Sequence, residues 1–164
     1  MALITANTRC PICNNRLAKP YTVTSGVVFA RTHPLWQFCD APLHFDCLET
    51  WPSRIEFSEG YFNAVLQHYQ TGSGGFLLIQ EKDWLFAAGP VGKNGHPLYV
   101  DIRFREWPVR LYSRWQDYDQ FVAGGFREGL AGSALQLAEQ TMRIVIQAAP
   151  DLAALSHLLH KLNA

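Results

Sequence analysis

The sequence predicts an α+β protein, with an N-terminal segment built around cysteine and histidine residues and an antiparallel sheet of three or four strands covered by C-terminal helices. Three observations indicate this class. Two Cys/His pairs with two residues inside each pair lie before residue 50, strand-length apolar runs fill the middle of the chain, and helical periodicity dominates the last third. We expect two regions, residues 1–55 and 56–164, packed together as one unit.

The composition is that of a globular chain without a bias toward nucleic acids or membranes. Of the 164 residues, 48% are hydrophobic and 17% are charged, and the formal net charge is zero. A general nucleic-acid binder needs a basic excess, which this chain lacks. No apolar run reaches the length of a membrane span, and residues 1–7 do not read as a secretory signal. The sequence therefore predicts a cytoplasmic protein with reduced thiols, in which Cys-x-x-Cys favours metal binding.

The first elements of the chain frame a candidate metal site. Cys10 and Cys13 enclose a proline, and the two Asn residues that follow tolerate a left-handed turn, so this stretch predicts a tight knuckle. The β-branched and aromatic runs 21–24 and 27–30, separated by Ser-Gly, predict a hairpin with a two-residue turn. Residues 34–43, with two prolines, predict a loop.

A second ligand pair completes a predicted zinc site. Thirty residues separate Cys13 from the His44-x-x-Cys47 pair, and a short helix is expected to begin near His44 and to stop before Pro52. A knuckle, a hairpin and a ligand pair at the first turn of a helix form the layout called a treble clef. A helix N-terminus favours the thiolate of Cys47. The sequence thus predicts a zinc-clamped treble clef with Cys10, Cys13, His44 and Cys47 as ligands.

The stretch from residue 39 to residue 51 resembles the middle of a RING-H2 finger, whose pattern is Cys-x-His-x-x-His-x-x-Cys, an aliphatic residue, two further positions and Trp. The matching positions hold Cys39, His44, Cys47, Leu48 and Trp51. Ala41 stands at the family's first histidine, and the closing Cys-x-x-Cys pair is absent, because no cysteine follows Cys47. The resemblance covers about a quarter of the chain and implies only the first of the family's two zinc sites.

Cys39 leaves an alternative in the ligand set. The His-x-x-Cys spacing favours His44 as the fourth ligand and makes Cys39 a buried neighbour of the site, whereas a four-thiolate site would use Cys39 in place of His44. Cysteines packed as small hydrophobic residues are the structural alternative to any metal. Because four protein ligands leave no open position on the ion, the sequence predicts structural and not catalytic Zn2+.

The middle of the chain predicts a helix and then strands. A helix with Ser58 as its N-cap carries apolar residues at helical spacing. The runs 76–80 and 84–88, joined by a polar three-residue turn, predict a hairpin. Residues 98–105 alternate between apolar and polar, which predicts a strand with one buried and one solvated face, and 109–113 predicts a further strand.

The last third predicts helices that cover this sheet. A short helix is expected over 116–123 and a long one over 133–148. Pro150 ends the long helix, and a final helix with a leucine stripe on one face follows it.

Residues 103–115 interleave four arginines with aromatic residues. One hypothesis is a surface that binds an acidic protein or single-stranded nucleic acid. Its candidate residues are Arg103, Arg105, Trp107, Arg110, Arg114 and Trp115. The structural alternative is a solvated strand face, on which the arginines pack against aromatic rings and nearby carboxylates offset their charge.

These observations predict a non-enzymatic zinc-binding protein that acts on another protein, as an adaptor or as an inhibitor of the bacterial immunity type. The sequence contains no nucleophile elbow and no His-Glu-x-x-His motif. One alternative, implied by the resemblance, is a degenerate RING-like component of the ubiquitin pathway that docks through Ile12, Leu48 and Trp51. Another is a single-stranded nucleic-acid binder acting through residues 103–115, here named the Arg/Trp strand; no membrane partner is expected.

Overall fold

The computed structural model describes residues 4–162, and this range contains six strands and five α-helices. The strands are β1 (Tyr21–Val23), β2 (Pro42–His44), β3 (Phe76–Gln80), β4 (Trp84–Ala88), β5 (Tyr99–Phe104) and β6 (Arg110–Arg114). The α-helices are α1 (Phe45–Thr50), α2 (Arg54–Gln70), α3 (Tyr118–Val122), α4 (Gly132–Ala148) and α5 (Leu152–Leu162). Short 3-10 segments lie at Pro34–Phe38, Trp115–Asp117 and Gly125–Arg127. None of the helices in the described range combines the length and apolar character that a membrane crossing needs.

The predicted knuckle opens the N-terminal segment. The Asn14 N–H donates to the carbonyl of Cys10 over 2.8 Å, and the Cys10 N–H donates to the carbonyl of Asn15 over 3.0 Å. Asn14 adopts the left-handed conformation, with a φ of 58°, which its short polar side chain permits. This turn holds the first two cysteines of the predicted site.

The hairpin predicted around the Ser-Gly turn is wrong, because β1 pairs with β2 instead. The antiparallel register places Tyr21 opposite His44. Residues 27–30, predicted as the second hairpin strand, form no strand. The ring of Phe29 stacks on that of Phe57 in α2, with 5.7 Å between centroids, so this run packs against a helix. A tertiary contact of one aromatic ring therefore overrides the local strand signal.

The stretch predicted as a loop over 34–43 contains a 3-10 turn and the first two residues of β2. Thr24 ties this turn to the end of β1, because its hydroxyl donates to the carbonyl of Phe38 at 2.9 Å and accepts the N–H of Ala41 at 3.0 Å. The helix predicted after His44 is confirmed as α1.

Helix α2 begins before the predicted N-cap at Ser58, which is wrong. The N-cap is Ser53, and Ser58 lies inside the helix, where its hydroxyl donates to the carbonyl of Arg54 at 2.6 Å, as serine does within helices. The buried ring of Phe57 adds a core contact to this earlier turn. The helix runs through the predicted boundary at residue 55, and the division into two regions stays a prediction.

Strands β3 to β6 form a four-stranded antiparallel sheet in sequence order, which confirms the predicted meander. Both faces of this sheet are covered. Phe86 lies in the main core, whereas its neighbour Leu85 packs on the opposite face with Phe62 of α2. The solvated face predicted for β5 is therefore wrong at Asp101, which is 2% exposed.

The C-terminal helices follow the prediction. The helix predicted over 116–123 corresponds to a 3-10 turn and α3, and the two longer helices are α4 and α5. Met142 of α4 and Leu155 of α5 are buried in the main core. Glu49 of α1 accepts the Ser133 N–H at 2.7 Å and the Ser133 hydroxyl at 3.0 Å, which satisfies a free N–H in the first turn of α4. This contact joins the cysteine-bearing segment to the body.

Candidate metal centre

Four predicted ligands meet in one cluster: Cys10, Cys13, His44 and Cys47, whose ligand atoms all lie within 4.8 Å of one another. The Nδ1 atom of His44 is 3.5 Å from the Sγ of Cys13 and 3.7 Å from the Sγ of Cys47. Tetrahedral zinc with bonds of about 2.3 Å to sulfur and about 2.0–2.1 Å to nitrogen sets these atoms about 3.6 Å apart. These two distances therefore match those of a four-coordinate metal site.

Three local structures bring the ligands together. The knuckle supplies Cys10 and Cys13, the end of β2 supplies His44, and the first turn of α1 supplies Cys47. Pairing with β1 sets the position of His44. Leu43, the residue before it, is fully buried, so the alternation of side chains along a strand directs His44 to the other side.

The thiols of the metal-free cluster differ in acidity. A hydrogen bond from the Asn15 backbone N–H is the main cause that lowers the pKa of Cys13 to about 7, and a contact with His44 adds to it. Burial raises the pKa of Cys47 to about 12, and the neighbouring thiols add to the rise. The rise is opposite to the effect expected from a helix N-terminus. A bound cation replaces the thiol proton and so favours the thiolate at both positions.

His44 has one contact that metal binding must change. Its Nε2 accepts the backbone N–H of Ala18 at 3.1 Å. A neutral imidazole that binds a metal through Nδ1 carries its proton on Nε2. Two N–H groups cannot hydrogen-bond to each other, so binding through Nδ1 requires His44 and Ala18 to separate.

In comparisons with protein-family models, curated proteins and solved structures, nothing matches this chain. The RING-H2 resemblance therefore has no support beyond the residues that carry it. Of what it implies, the structure shows a Cys3His cluster able to hold a metal ion.

The cluster borders an open pocket of about 300 Å³. Cys10 is fully buried, and the other three ligands are half-buried and line this pocket. Arg16, Lys19 and Asp46 also line it. Solvent and small chelators can thus reach these three ligands through the pocket.

Cys39 lies outside the cluster formed by the described residues. It ends the 3-10 turn at Pro34–Phe38, where its N–H donates to the carbonyl of Trp36 at 3.0 Å. Burial is the main cause that raises the pKa of Tyr61, and the neighbouring Cys39 side chain adds to the rise. The geometry favours His44 as the fourth ligand and gives no support to the four-thiolate alternative.

The Arg/Trp strand is mostly engaged within the fold. Trp107 and Trp115 are 4% and 7% exposed, so neither is an exposed anchor for a partner. Arg103 and Arg110 each donate from Nε to the same Oδ1 atom of Asp101, at 3.0 and 2.9 Å. Both tryptophans and the Nε groups of Arg103 and Arg110 are therefore engaged inside the protein.

The remaining arginines divide into one that is engaged and one that is open. Arg105 donates to the carbonyl of Lys82 at 2.8 Å and lies 4.4 Å above the ring of Phe62. Arg114 is exposed, and its guanidinium makes no hydrogen bond or ion pair with another residue in the range 4–162. An interaction surface on this strand stays a prediction, and Arg114 is the candidate that remains open to a partner.

Asp101 is the centre of a buried network that sequence reasoning missed. The Tyr69 hydroxyl donates to the Oδ2 atom of Asp101 at 3.3 Å, whereas the two arginines donate to the other oxygen, Oδ1. Burial, with the Asp101 charge second, raises the pKa of Tyr69. The sequence does show a carboxylate inside a predicted strand, with an arginine two positions later. Tyr69 of α2, however, is 32 residues away from Asp101, so no local pattern contains the whole network.

Proposed function

We propose that this protein binds one zinc ion in a structural role and acts by binding another protein. The observation that carries the proposal is the Cys3His cluster, whose four ligand atoms lie within 4.8 Å of one another. Thiolates select zinc over hard cations such as calcium and magnesium, and three thiolates with one imidazole at tetrahedral spacing are typical of zinc.

The closed ligand set supports a structural role. Catalytic zinc keeps a coordination position for water or substrate, and four protein ligands leave none. The ion would join the knuckle to the junction of β2 and α1. These two parts are distant in the sequence and meet only in the tertiary structure. Structural zinc contributes about 10–16 kcal/mol of apparent binding free energy in finger peptides, and that free energy favours the folded state. In this proposal, zinc holds the N-terminal surface in shape.

The order of elements also supports a treble-clef arrangement. A knuckle, an antiparallel strand pair and a helix follow one another, and the second ligand pair lies where β2 meets α1. In this arrangement β1 and β2 replace the hairpin predicted from sequence.

The proposed partner is another protein because large apolar side chains remain at the surface. Those between 37% and 54% exposed include Trp36, Ile55, Leu98 and Tyr112. Aromatic side chains of this kind are enriched at protein interfaces. The nucleic-acid alternative has less support, since both tryptophans of the Arg/Trp strand are buried and cannot stack on bases. No observation favours a RING-like role, which needs a second zinc site.

The zinc part of the proposal is tested by the metal content of the chain purified without added metal, measured by mass spectrometry. We expect about one equivalent of zinc in the wild type and in Cys39→Ser, and a large loss in Cys13→Ser. Less than half an equivalent, with an unchanged melting temperature after chelation, would overturn the site.

The interaction part is tested by crosslinking and affinity purification of the tagged full chain in its own host cells. We expect a defined partner with wild type and Cys39→Ser, and its loss with Cys13→Ser. A chain that reproducibly captures no protein partner in its zinc-loaded form would refute this part.

A further inference from the structure

Strand β6 forms one edge of the four-stranded sheet, and it leaves backbone hydrogen-bonding groups open along that edge. The Trp115 N–H donates to the carbonyl of Leu98 at 3.2 Å, in register with the β5–β6 pairing. In an antiparallel pair, hydrogen-bonded residues alternate along the strand. The odd-numbered residues of β6 therefore face β5. The backbone groups of Arg110, Tyr112 and Arg114 point outward, and their N–H groups donate to no other residue in the described part of the chain.

A groove runs beside this open edge. It consists of two adjoining depressions of about 300 and 380 Å³ that share Tyr112, Phe121, Gly125 and Glu128. Between them, the two depressions are lined by every residue of β6. The opposite wall is formed by α3 and the 3-10 segment that follows it. A groove of this form, parallel to an unpaired strand, fits an extended peptide that adds a strand to the sheet.

The charged side chains of β6 determine which kind of added strand can pair with this edge. Arg110, Tyr112 and Arg114 project from the same face of β6, since strand residues two apart share a face. Arg114 is exposed and Tyr112 is 47% exposed. Pairing with a second copy, centred on Tyr112, would place Arg110 opposite Arg114, and like charges in opposed positions are unfavourable. Acidic side chains at those two positions are favourable instead, and more so opposite Arg114 than opposite Arg110, because the Nε of Arg110 already donates to Asp101.

We propose that the β6 edge binds an extended segment of a partner protein whose acidic residues, four positions apart, face Arg110 and Arg114. The segment forms main-chain hydrogen bonds to β6, and the apolar residues between the acidic ones enter the groove against Phe121. This proposal rests on the proposed function as a protein-binding module, and it assigns that function to a site and a partner chemistry.

The charge requirement is tested with a fluorescein-labelled peptide, Gly-Glu-Val-Thr-Val-Glu-Gly, and a matched peptide with Lys at both Glu positions. Binding to the full, zinc-loaded chain is measured by fluorescence anisotropy. We expect the Glu peptide to bind at least about tenfold more tightly than the Lys peptide, and Arg114→Glu to weaken the Glu peptide about five- to tenfold while improving the Lys peptide. The control Arg143→Glu, at another exposed arginine without a described partner, should change neither.

The main-chain requirement is tested with N-methylated forms of the same peptide. N-methyl groups at the positions that face β6 remove the donors of the added strand and should abolish binding, whereas those at the alternate positions should be tolerated. On the protein side, Tyr112→Pro removes an outward N–H without removing a bond to β5 and should weaken binding far more than Tyr112→Thr. The N-methyl series keeps the test decisive even if the proline variant does not fold.

Three outcomes would overturn the edge site. They are equal binding of the Glu and Lys peptides, tolerance of N-methyl groups at both sets of positions, and a concentration-dependent dimer that Arg114→Glu abolishes. The proposal would likewise be overturned if a labelled oligothymidylate bound through Arg114 and the Glu peptide did not bind. That result would make single-stranded nucleic acid the ligand of this edge. A native partner that is captured equally well by Arg114→Glu would refute this site and leave the proposed function standing.

Discussion

Replacing Asp101 by Asn is expected to destabilise the protein strongly, because it removes the negative charge that two arginines share in a buried network. The carboxylate is 2% exposed and accepts Nε of Arg103 at 3.0 Å and of Arg110 at 2.9 Å on one oxygen. Its other oxygen accepts the hydroxyl of Tyr69 at 3.3 Å. Asparagine keeps the size of the side chain and loses the charge.

The magnitude follows from how well solvent screens each arginine. A hydrogen bond to a charged group contributes about 1.5–3 kcal/mol when shielded, and exposed pairs contribute about 1 kcal/mol or less. The Arg103 side chain is 14% exposed and that of Arg110 is 31% exposed. We assign about 2 kcal/mol to the first and about 1 kcal/mol to the second, so the expected loss is about 3 kcal/mol. For a chain of this size, that lowers the melting temperature by about 6–12 °C.

The measurement is urea unfolding of the zinc-loaded protein, followed by tryptophan fluorescence. The matched control is Asp83→Asn, an exposed aspartate in the β3–β4 turn, which should change the free energy of unfolding by less than about 0.5 kcal/mol. A loss below about 1 kcal/mol for Asp101→Asn, or a loss equal to that of the control, would refute the reasoning that the carboxylate holds both arginines.

Three further predictions concern the metal site and its link to the body. Chelation of zinc, or Cys13→Ser, should unfold the N-terminal third and lower the melting temperature, whereas Cys39→Ser should have a milder effect; equal damage from both variants, measured by circular dichroism and calorimetry, would reassign the ligands. Zinc binding should strengthen as pH rises from 6 to 8, because protons compete with zinc for the thiolates. At pH 7, Cys13 with a pKa of about 7 is half protonated and Cys47 with a pKa of about 12 is protonated. Zinc binding should therefore release about 1.5 protons from these two thiols. Calorimetry in buffers of different ionisation enthalpy measures the total release from all ligands, so a total below about 1.5 protons would contradict the pKa values of these two thiols. Glu49→Gln should destabilise the protein by about 1 kcal/mol by weakening the cap on Ser133, and Glu59→Gln at an intermediate position of α2 serves as control.

The elements that the sequence predicts correctly are those whose signal is local. The hairpin of β3 and β4, the strand β5 and the helix α4 each show their period within one stretch of residues, and all three are found at the predicted place. The ligand pairs are local in the same sense, because a two-residue spacing suits one turn of chain around an ion. The knuckle and the first turn of α1 therefore follow from the sequence without knowledge of the rest of the fold.

The errors share one physical cause, which is that partners come from distant parts of the chain. The strand signal at residues 27–30 yields to the packing of Phe29 on α2, and the N-cap signal of Ser58 yields to a helix that starts earlier. The polar face of β5 is buried because α2 covers it, so Asp101 requires arginines instead of water. The alternation of apolar and polar residues within β5 does not show that α2 covers the second face of the sheet.

The sequence by itself determined which residues are chemically able to form the metal site and where most of the helices and strands lie. Spacing, turn chemistry and apolar period are properties of neighbouring residues, so they can be read along the chain directly. Only the tertiary structure decided that Cys39 stays out of the cluster, that both tryptophans of the Arg/Trp strand are buried, and that β6 presents an open edge. Burial and pairing depend on which segments meet in space, and the free energy of those meetings is spread over contacts far apart in the chain.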